Sequence, residues 1–144
     1  AHGGTYTAHS VSLAAAETTL KILDETSALA DIATYGAALQ KGISDILKPR
    51  GIPHSFTGHP SMGGLFFSDT PPQNYRDWKT SDYTFYDTMA PFLHDLGVLC
   101  EPDSREPWFI SAAHDSECLK HTLASFETAV DQTLEALDAQ RKQA

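Results

Sequence analysis

Apolar residues recur at helical spacing in four stretches of the chain and gather into four shorter runs between them. From Ser10 to Leu23, SVSLAAAETTLKIL is rich in helix formers, with Val11, Ala14, Ala15, Leu20 and Leu23 at helical intervals, which predicts a helix. A second is predicted over Ser27 to Lys48, where Leu29, Ile32, Gly36, Leu39, Ile43 and Ile46 repeat every three or four positions; Pro49 and Gly51 end it. Pro53, Gly58, Pro60, Gly63 and Gly64 then punctuate two short strands, Ser55 to Thr57 and Leu65 to Ser68. A loop follows over Asp69 to Thr80, and a helix over Asp82 to Leu96 whose buried side carries Phe85, Tyr86, Met89, Phe92 and Leu93; Pro91 is expected to kink or split it. Val98 to Glu101 and Trp108 to Ala112 read as strands around a polar turn. Asp115 or Ser116 caps a long last helix striped by Leu119, Leu123, Phe126, Val130, Leu134 and Leu137, with a frayed polar tail from Gln140. The order predicts an α+β fold, a small, mostly antiparallel sheet covered by helices on one face.

Length and charge narrow the class. At 144 residues the chain has the size of one domain. Nineteen acidic against ten basic residues leave a net charge of -9, which argues against nucleic-acid binding through a general basic field. Apolar runs of a few residues argue against a membrane partner, since a span needs about 20. Two cysteines, Cys100 and Cys118, are too few for a disulfide scaffold, so a cytoplasmic setting is the default expectation.

Candidate chemistry is sparse. Gly3-Gly4-Thr5-Tyr6-Thr7 ahead of a helix can cradle an anion: glycines let the backbone approach a ligand, hydroxyls donate to phosphate oxygens, and the helix start adds unpaired N–H groups. A flexible glycine-rich end with an ordinary cap accounts for the same pattern. The seven histidines lack zinc-ligand spacing, so no metal is expected. Ser61 is not on a nucleophile elbow, Cys100 reads as a small buried hydrophobe, and Glu101, Asp103, Arg105 and Glu106 form a charged turn that is either solvated or aimed into a cleft.

In combination these segments resemble class III aminotransferases that depend on pyridoxal phosphate, and within them the glutamate-1-semialdehyde 2,1-aminomutase group. The resemblance is carried by Gly4-Thr5-Tyr6-Thr7-Ala8-His9 leading into Leu13-Ala14-Ala15-Ala16, by Ser61-Met62-Gly63-Gly64-Leu65-Phe66-Phe67, by Pro72-Gln73-Asn74-Tyr75-Arg76-Asp77, and by Gly97-Val98, Pro102, Glu106, Phe109, Ser111, Ala113 and His114. It runs from Gly4 to about Leu137. Two departures stand out. The family's Gly-Asn-Pro is Ala8-His9-Ser10 here, and its Phe-Glu-Ala-Gly-Phe is Arg105-Glu106-Pro107-Trp108-Phe109. Arg105 and Trp108 are accordingly expected at the substrate mouth, where they could select a carboxylate-bearing amino donor.

The resemblance implies the C-terminal portion of a fold-type I transferase. Residues 1–24 are then a phosphate-contacting segment and linking helix, and 25–144 the small α+β domain. It implies pyridoxal 5'-phosphate as cofactor, with Gly4 and Thr5 binding its phosphate in the neighbouring subunit of a homodimer, and Glu106 near the entrance for a small amino-acid or semialdehyde substrate. No catalytic residue is expected in this stretch, because the Schiff-base lysine, the acidic partner of the pyridine nitrogen and the ring-stacking groups all precede it in the family. About 280 further residues are expected upstream for that large domain. The 144 residues alone are expected to be inactive. The alternative is a non-catalytic binding or assembly module of the same ancestry.

Overall fold

The computed structural model describes residues 3–142. Helix α1 (Ser10–Glu25) leads into α2 (Ala28–Leu47), and a 3-10 turn, Lys48–Arg50, closes on Gly51 in the left-handed region at φ 65°. That is the ending predicted from Pro49 and Gly51. Strands β1 (Ser55–Thr57) and β2 (Met62–Phe66) form an antiparallel pair with Phe56 opposite Leu65. A single helical turn, α3 (Tyr75–Trp78), and helix α4 (Tyr83–Asp95) come next. Strand β3 (Trp108–Phe109) pairs antiparallel with β2, Met62 opposite Phe109, and α5 (Ser116–Arg141) completes the chain. The sheet order is β1-β2-β3, so the α+β architecture with an antiparallel sheet is as expected.

The core lies between the sheet and three helices. Leu39, Ile43 and Leu47 of α2, Leu65 and Phe67, Phe85, Tyr86, Met89, Ala90 and Leu93 of α4, and Phe126, Ala129 and Val130 of α5 form one buried cluster. Met89, Leu93, Phe126 and Val130 are wholly excluded from water. Each such side chain contributes about 1.5–3 kcal/mol over its exposed state. Phe67 packs on Phe85 at 4.5 Å between ring centroids and ties the end of the sheet to α4. On the opposite side Arg50 donates to Asp131 at 3.0 Å, to Glu127 at 3.1 Å and to the Ile46 carbonyl at 2.9 Å, binding the end of α2 to α5.

Several local expectations are corrected. The stretch Val98 to Glu101 is not a strand; its polar groups turn toward α4, with Val98 N–H donating to the Leu93 carbonyl and His94 Nε2 to the Cys100 carbonyl. Likewise β3 is only two residues long, because Ser111 and His114 bond to each other and close a turn ahead of α5. Strand β2 starts at Met62 instead of Leu65. Pro91 neither splits α4 nor ends it: it lies on the exposed side, where water can reach the carbonyl that loses its N–H, while Met89, Ala90 and Leu93 hold the helix on the core. Within the expected loop, Asn74 accepts from the amides of Arg76 and Asp77 and nucleates α3. The last helix runs on to Arg141, past the predicted start of the frayed tail. Asp115 caps it, accepting from the amides of Glu117 and Cys118, which lowers its carboxyl pKa.

Helix α1 forms as predicted but buries none of its residues: Val11, Leu13, Leu20 and Ile22 are all exposed, and its tertiary contacts run to α2. No helix among the described residues is long and apolar enough to cross a membrane.

Gly36 sits where α2 crosses the loop before β2. A Cβ there would lie 2.0 Å from the Pro60 carbonyl oxygen. Gly36→Ala is therefore expected to destabilise the fold by about 1–3 kcal/mol in urea unfolding, since backbone, not a flexible side-chain end, must yield.

Candidate functional site

Two separate groups carry the predicted site residues. The first is the turn before α1. Thr7 N–H donates to the Gly4 carbonyl at 3.0 Å and His9 N–H to that of Tyr6 at 3.1 Å, which curls Gly4–Thr7 into a tight turn. His9, not a Ser or Thr, caps the helix: its Nδ1 lies 2.8 Å from the Ser12 hydroxyl and accepts from the Ser12 amide. Gly4, Thr5, Tyr6 and Thr7 are all exposed, and a Cβ placed on Gly3 meets nothing within 4 Å. Backbone and hydroxyls are thus open to a phosphate-sized anion, which fits the phosphate end of pyridoxal phosphate. Ala8 lies between turn and cap at φ 62°, a left-handed conformation that L side chains resist by about 1–2 kcal/mol. It stands at the Gly of the family's Gly-Asn-Pro, a residue that takes that conformation without strain.

The second group is the segment Cys100 to Pro107 between α4 and β3. Glu106 is exposed there, and its amide donates to the Asp103 carbonyl at 3.0 Å. Arg105 folds back on Asp103, donating Nε to both carboxylate oxygens at 2.8 and 3.0 Å, and its guanidinium lies 5.2 Å from the Trp78 ring centre. The guanidinium holds the Asp103 carboxyl down at about 2. Arg105 therefore has its charge matched inside its own loop and is not a free cation for a substrate carboxylate. Trp108 also departs from expectation: it is half-buried, 6.3 Å from the core ring of Phe126, with its indole N–H donated to the Tyr86 hydroxyl at 2.9 Å. It is an anchor of the loop, a role that its place in an apolar run could suggest but not prove.

The structure does not bring the two groups together. Sixteen residues of α1, about 24 Å, separate Gly4 and Thr5 from the α1–α2 junction. A cavity of about 440 Å³ opens beside the second group, lined by Cys100, Glu101 and Pro107 of that segment together with Tyr35, Trp108 and His114, but by none of Gly4, Thr5 or Glu106. Burial pushes the Cys100 thiol pKa up, which opposes nucleophilic use. His54 links the Ile52 carbonyl to the Ser44 hydroxyl, and His59 lies 2.9 Å from the Ser61 hydroxyl, so both serve local bonds. All six lysines are exposed; Lys21 and Lys120 face Glu25 and Glu117, Lys41 pairs with Asp45, and Lys79 lies over Tyr75. None has the desolvated setting that depresses the pKa of a catalytic lysine.

Known proteins give this geometry its context. No family model matches the chain. Glutamate-1-semialdehyde 2,1-aminomutase 2 of Brevibacillus brevis is 35% identical over 125 residues, 86% of this chain and 29% of that protein. The glutamate-1-semialdehyde 2,1-aminomutase of Methanothermobacter thermautotrophicus is 35% identical over 124 residues, with the same shares. Among solved structures, the FumI protein of Sphingopyxis sp. MTA144, in its PLP internal aldimine form, superimposes with a TM-score of 0.73 at 29% identity, over 87% of this chain and 27% of that one. An omega-transaminase from Sphaerobacter thermophilus has the same fold, with a TM-score of 0.80 at 23% identity over 92% and 30%. The chain is thus related, over most of its own length, to the C-terminal part of glutamate-1-semialdehyde 2,1-aminomutases and shares its fold with transaminases, as the sequence resemblance implied. It spans about 29% of the length of the curated relatives it matches.

The Asp103–Arg105 pair gives a pH signature. The folded carboxyl pKa lies below its unfolded value of about 3.9, so the pairing supports the loop above about pH 4 and is lost as pH falls toward 2. In a carbon-13 NMR titration the Asp103 carboxyl is expected to titrate at about 2, and Arg105→Gln to raise it toward the ordinary carboxylate range, short of it because the amide of residue 105 still donates to the carboxylate.

Proposed function

We propose that the chain is the C-terminal portion of an aminotransferase or glutamate-1-semialdehyde 2,1-aminomutase-like enzyme that uses pyridoxal 5'-phosphate. The observation that carries this is the 35% identity over 86% of the chain, joined to a transaminase fold over 92% of it. In this reading residues 1–24 are the phosphate-contacting and linking segment and 25–144 the small domain; residues 1–2 and 143–144 lie outside those described. The large domain supplies the lysine. The whole protein works as a homodimer in the cytoplasm.

Pyridoxal phosphate, when bound, supplies the electron-accepting ring through which amino groups are moved. The chain's own contribution is binding and access. Gly4 offers a backbone that no Cβ obstructs, and Thr5 a hydroxyl that donates to a phosphate oxygen of the cofactor in the neighbouring subunit. The positive end of the α1 dipole adds to that attraction. Glu106, exposed on a loop, borders the path of a small amino-acid or semialdehyde substrate. With Arg105 matched by Asp103, the loop presents no free guanidinium to a substrate carboxylate.

Two measurements test the reading. In the full-length protein, Thr5→Ala is expected to weaken cofactor affinity about 10- to 100-fold, the loss of one hydrogen bond to a charged group, in an absorbance titration. An unchanged affinity removes Thr5 from the site. The 144-residue chain alone is expected to transfer no amino group and to retain no cofactor after borohydride treatment. A borohydride-trapped adduct on it would overturn the division of labour. Conversion of glutamate-1-semialdehyde to 5-aminolevulinate by the full-length protein identifies the aminomutase, and activity with other amino donors alone a transaminase.

A further inference from the structure

The segment that carries Glu106 has no ladder of its own, yet aromatic side chains hold it from two sides. Its carbonyls and hydroxyl are bonded at Cys100 by His94 Nε2 at 2.6 Å, at Glu101 by the Tyr86 hydroxyl at 2.9 Å, and at Ser104 by the Trp78 indole N–H at 2.8 Å. Ser104 is 3% exposed and Tyr86 1%, so these bonds are sheltered from water. The Tyr86 hydroxyl has one proton, which goes to Glu101; its oxygen is left to accept, and the Trp108 indole N–H donates to it at 2.9 Å. The chain's two tryptophans therefore donate to the two ends of one loop, Trp78 directly and Trp108 through a phenol. Arg105, stacked on Trp78 and bonded to Asp103, closes the same arrangement.

Two of the three departures from the family's Phe-Glu-Ala-Gly-Phe stretch take part: Trp108 stands at its Gly and Arg105 at its first Phe. We infer that Trp108 and Trp78 are positioning residues that set the backbone from Glu101 to Glu106 and thereby the place of the Glu106 carboxylate at the substrate entrance. The inference rests on the proposed role of Glu106. It assigns recognition at this entrance to a loop fixed by indole hydrogen bonds, and it gives Trp108 its function without any contact to substrate.

The test is hydrogen exchange at the Arg105 and Glu106 amides, both of which donate to Asp103, in the full-length protein. Trp108→Phe keeps an aromatic ring and removes the donor; Ser104→Ala removes the acceptor for Trp78. Exchange at Arg105 and Glu106 is expected to rise at least tenfold in both variants, with the α5 amides of Phe126, Ala129 and Val130 unchanged. KM for the amino donor is expected to rise severalfold at constant kcat. Unchanged exchange in both variants overturns the inference, as does an equal acceleration in α5, which marks general loosening. Faster exchange with an unaltered KM supports the anchoring and overturns the placement of Glu106 at the entrance.

Discussion

Helices α4 and α5 meet along Tyr86, Met89, Leu93, Phe126, Ala129 and Val130, surfaces from which water is almost wholly excluded, and the remaining elements take their positions from that contact. Phe67 reaches the same seam from the sheet, and α2 closes it through Leu39, Ile43 and Leu47. A seam of this kind is close-packed, so a side chain on its border has one place to go. Tyr86 shows the consequence: its ring belongs to the seam, while its hydroxyl emerges at the loop and bonds Glu101. Packing on one side of a residue thus fixes a polar contact on the other.

Helix α1 is the counterpart. It carries leucines, an isoleucine and a valine but buries none of them, because its neighbours in this chain reach it only near α2. An isolated helix of 16 residues is marginal in water, and a helix apolar on more than one side is usually packed from more than one side. The chain spans 29% of the length of the relatives it matches, and the exposed turn of Gly4 to Thr7 stands at the start of the same helix.

Part of the local structure was legible residue by residue. Glycines and threonines before an alanine-rich helix marked a candidate anion turn, and a tight, exposed turn stands there. The Asp115 cap, the Pro49–Gly51 stop and the periodic stripes of α2 and α5 were readable because backbone stereochemistry and helical period act locally. The left-handed Ala8, the short β3 and the missing strand at Val98 to Glu101 were not, since each depends on turn geometry and on single bonds between residues a few positions apart, which leave no periodic pattern. Pro91 misled for a related reason: a proline on the wet face of a helix held down by five buried residues costs less than its local chemistry suggests.

What the amino-acid order determined by itself is the four long helices, the paired strands around Gly58 to Met62 and the resemblance to one portion of a larger enzyme, because these reside in neighbouring residues. Only the tertiary structure decided what Arg105 and Trp108 do. Their charge and ring invited a place at the substrate mouth. Asp103, two residues away, takes up the guanidinium, while Trp78 beneath it and Tyr86, which accepts the indole N–H, are brought within reach only by the fold.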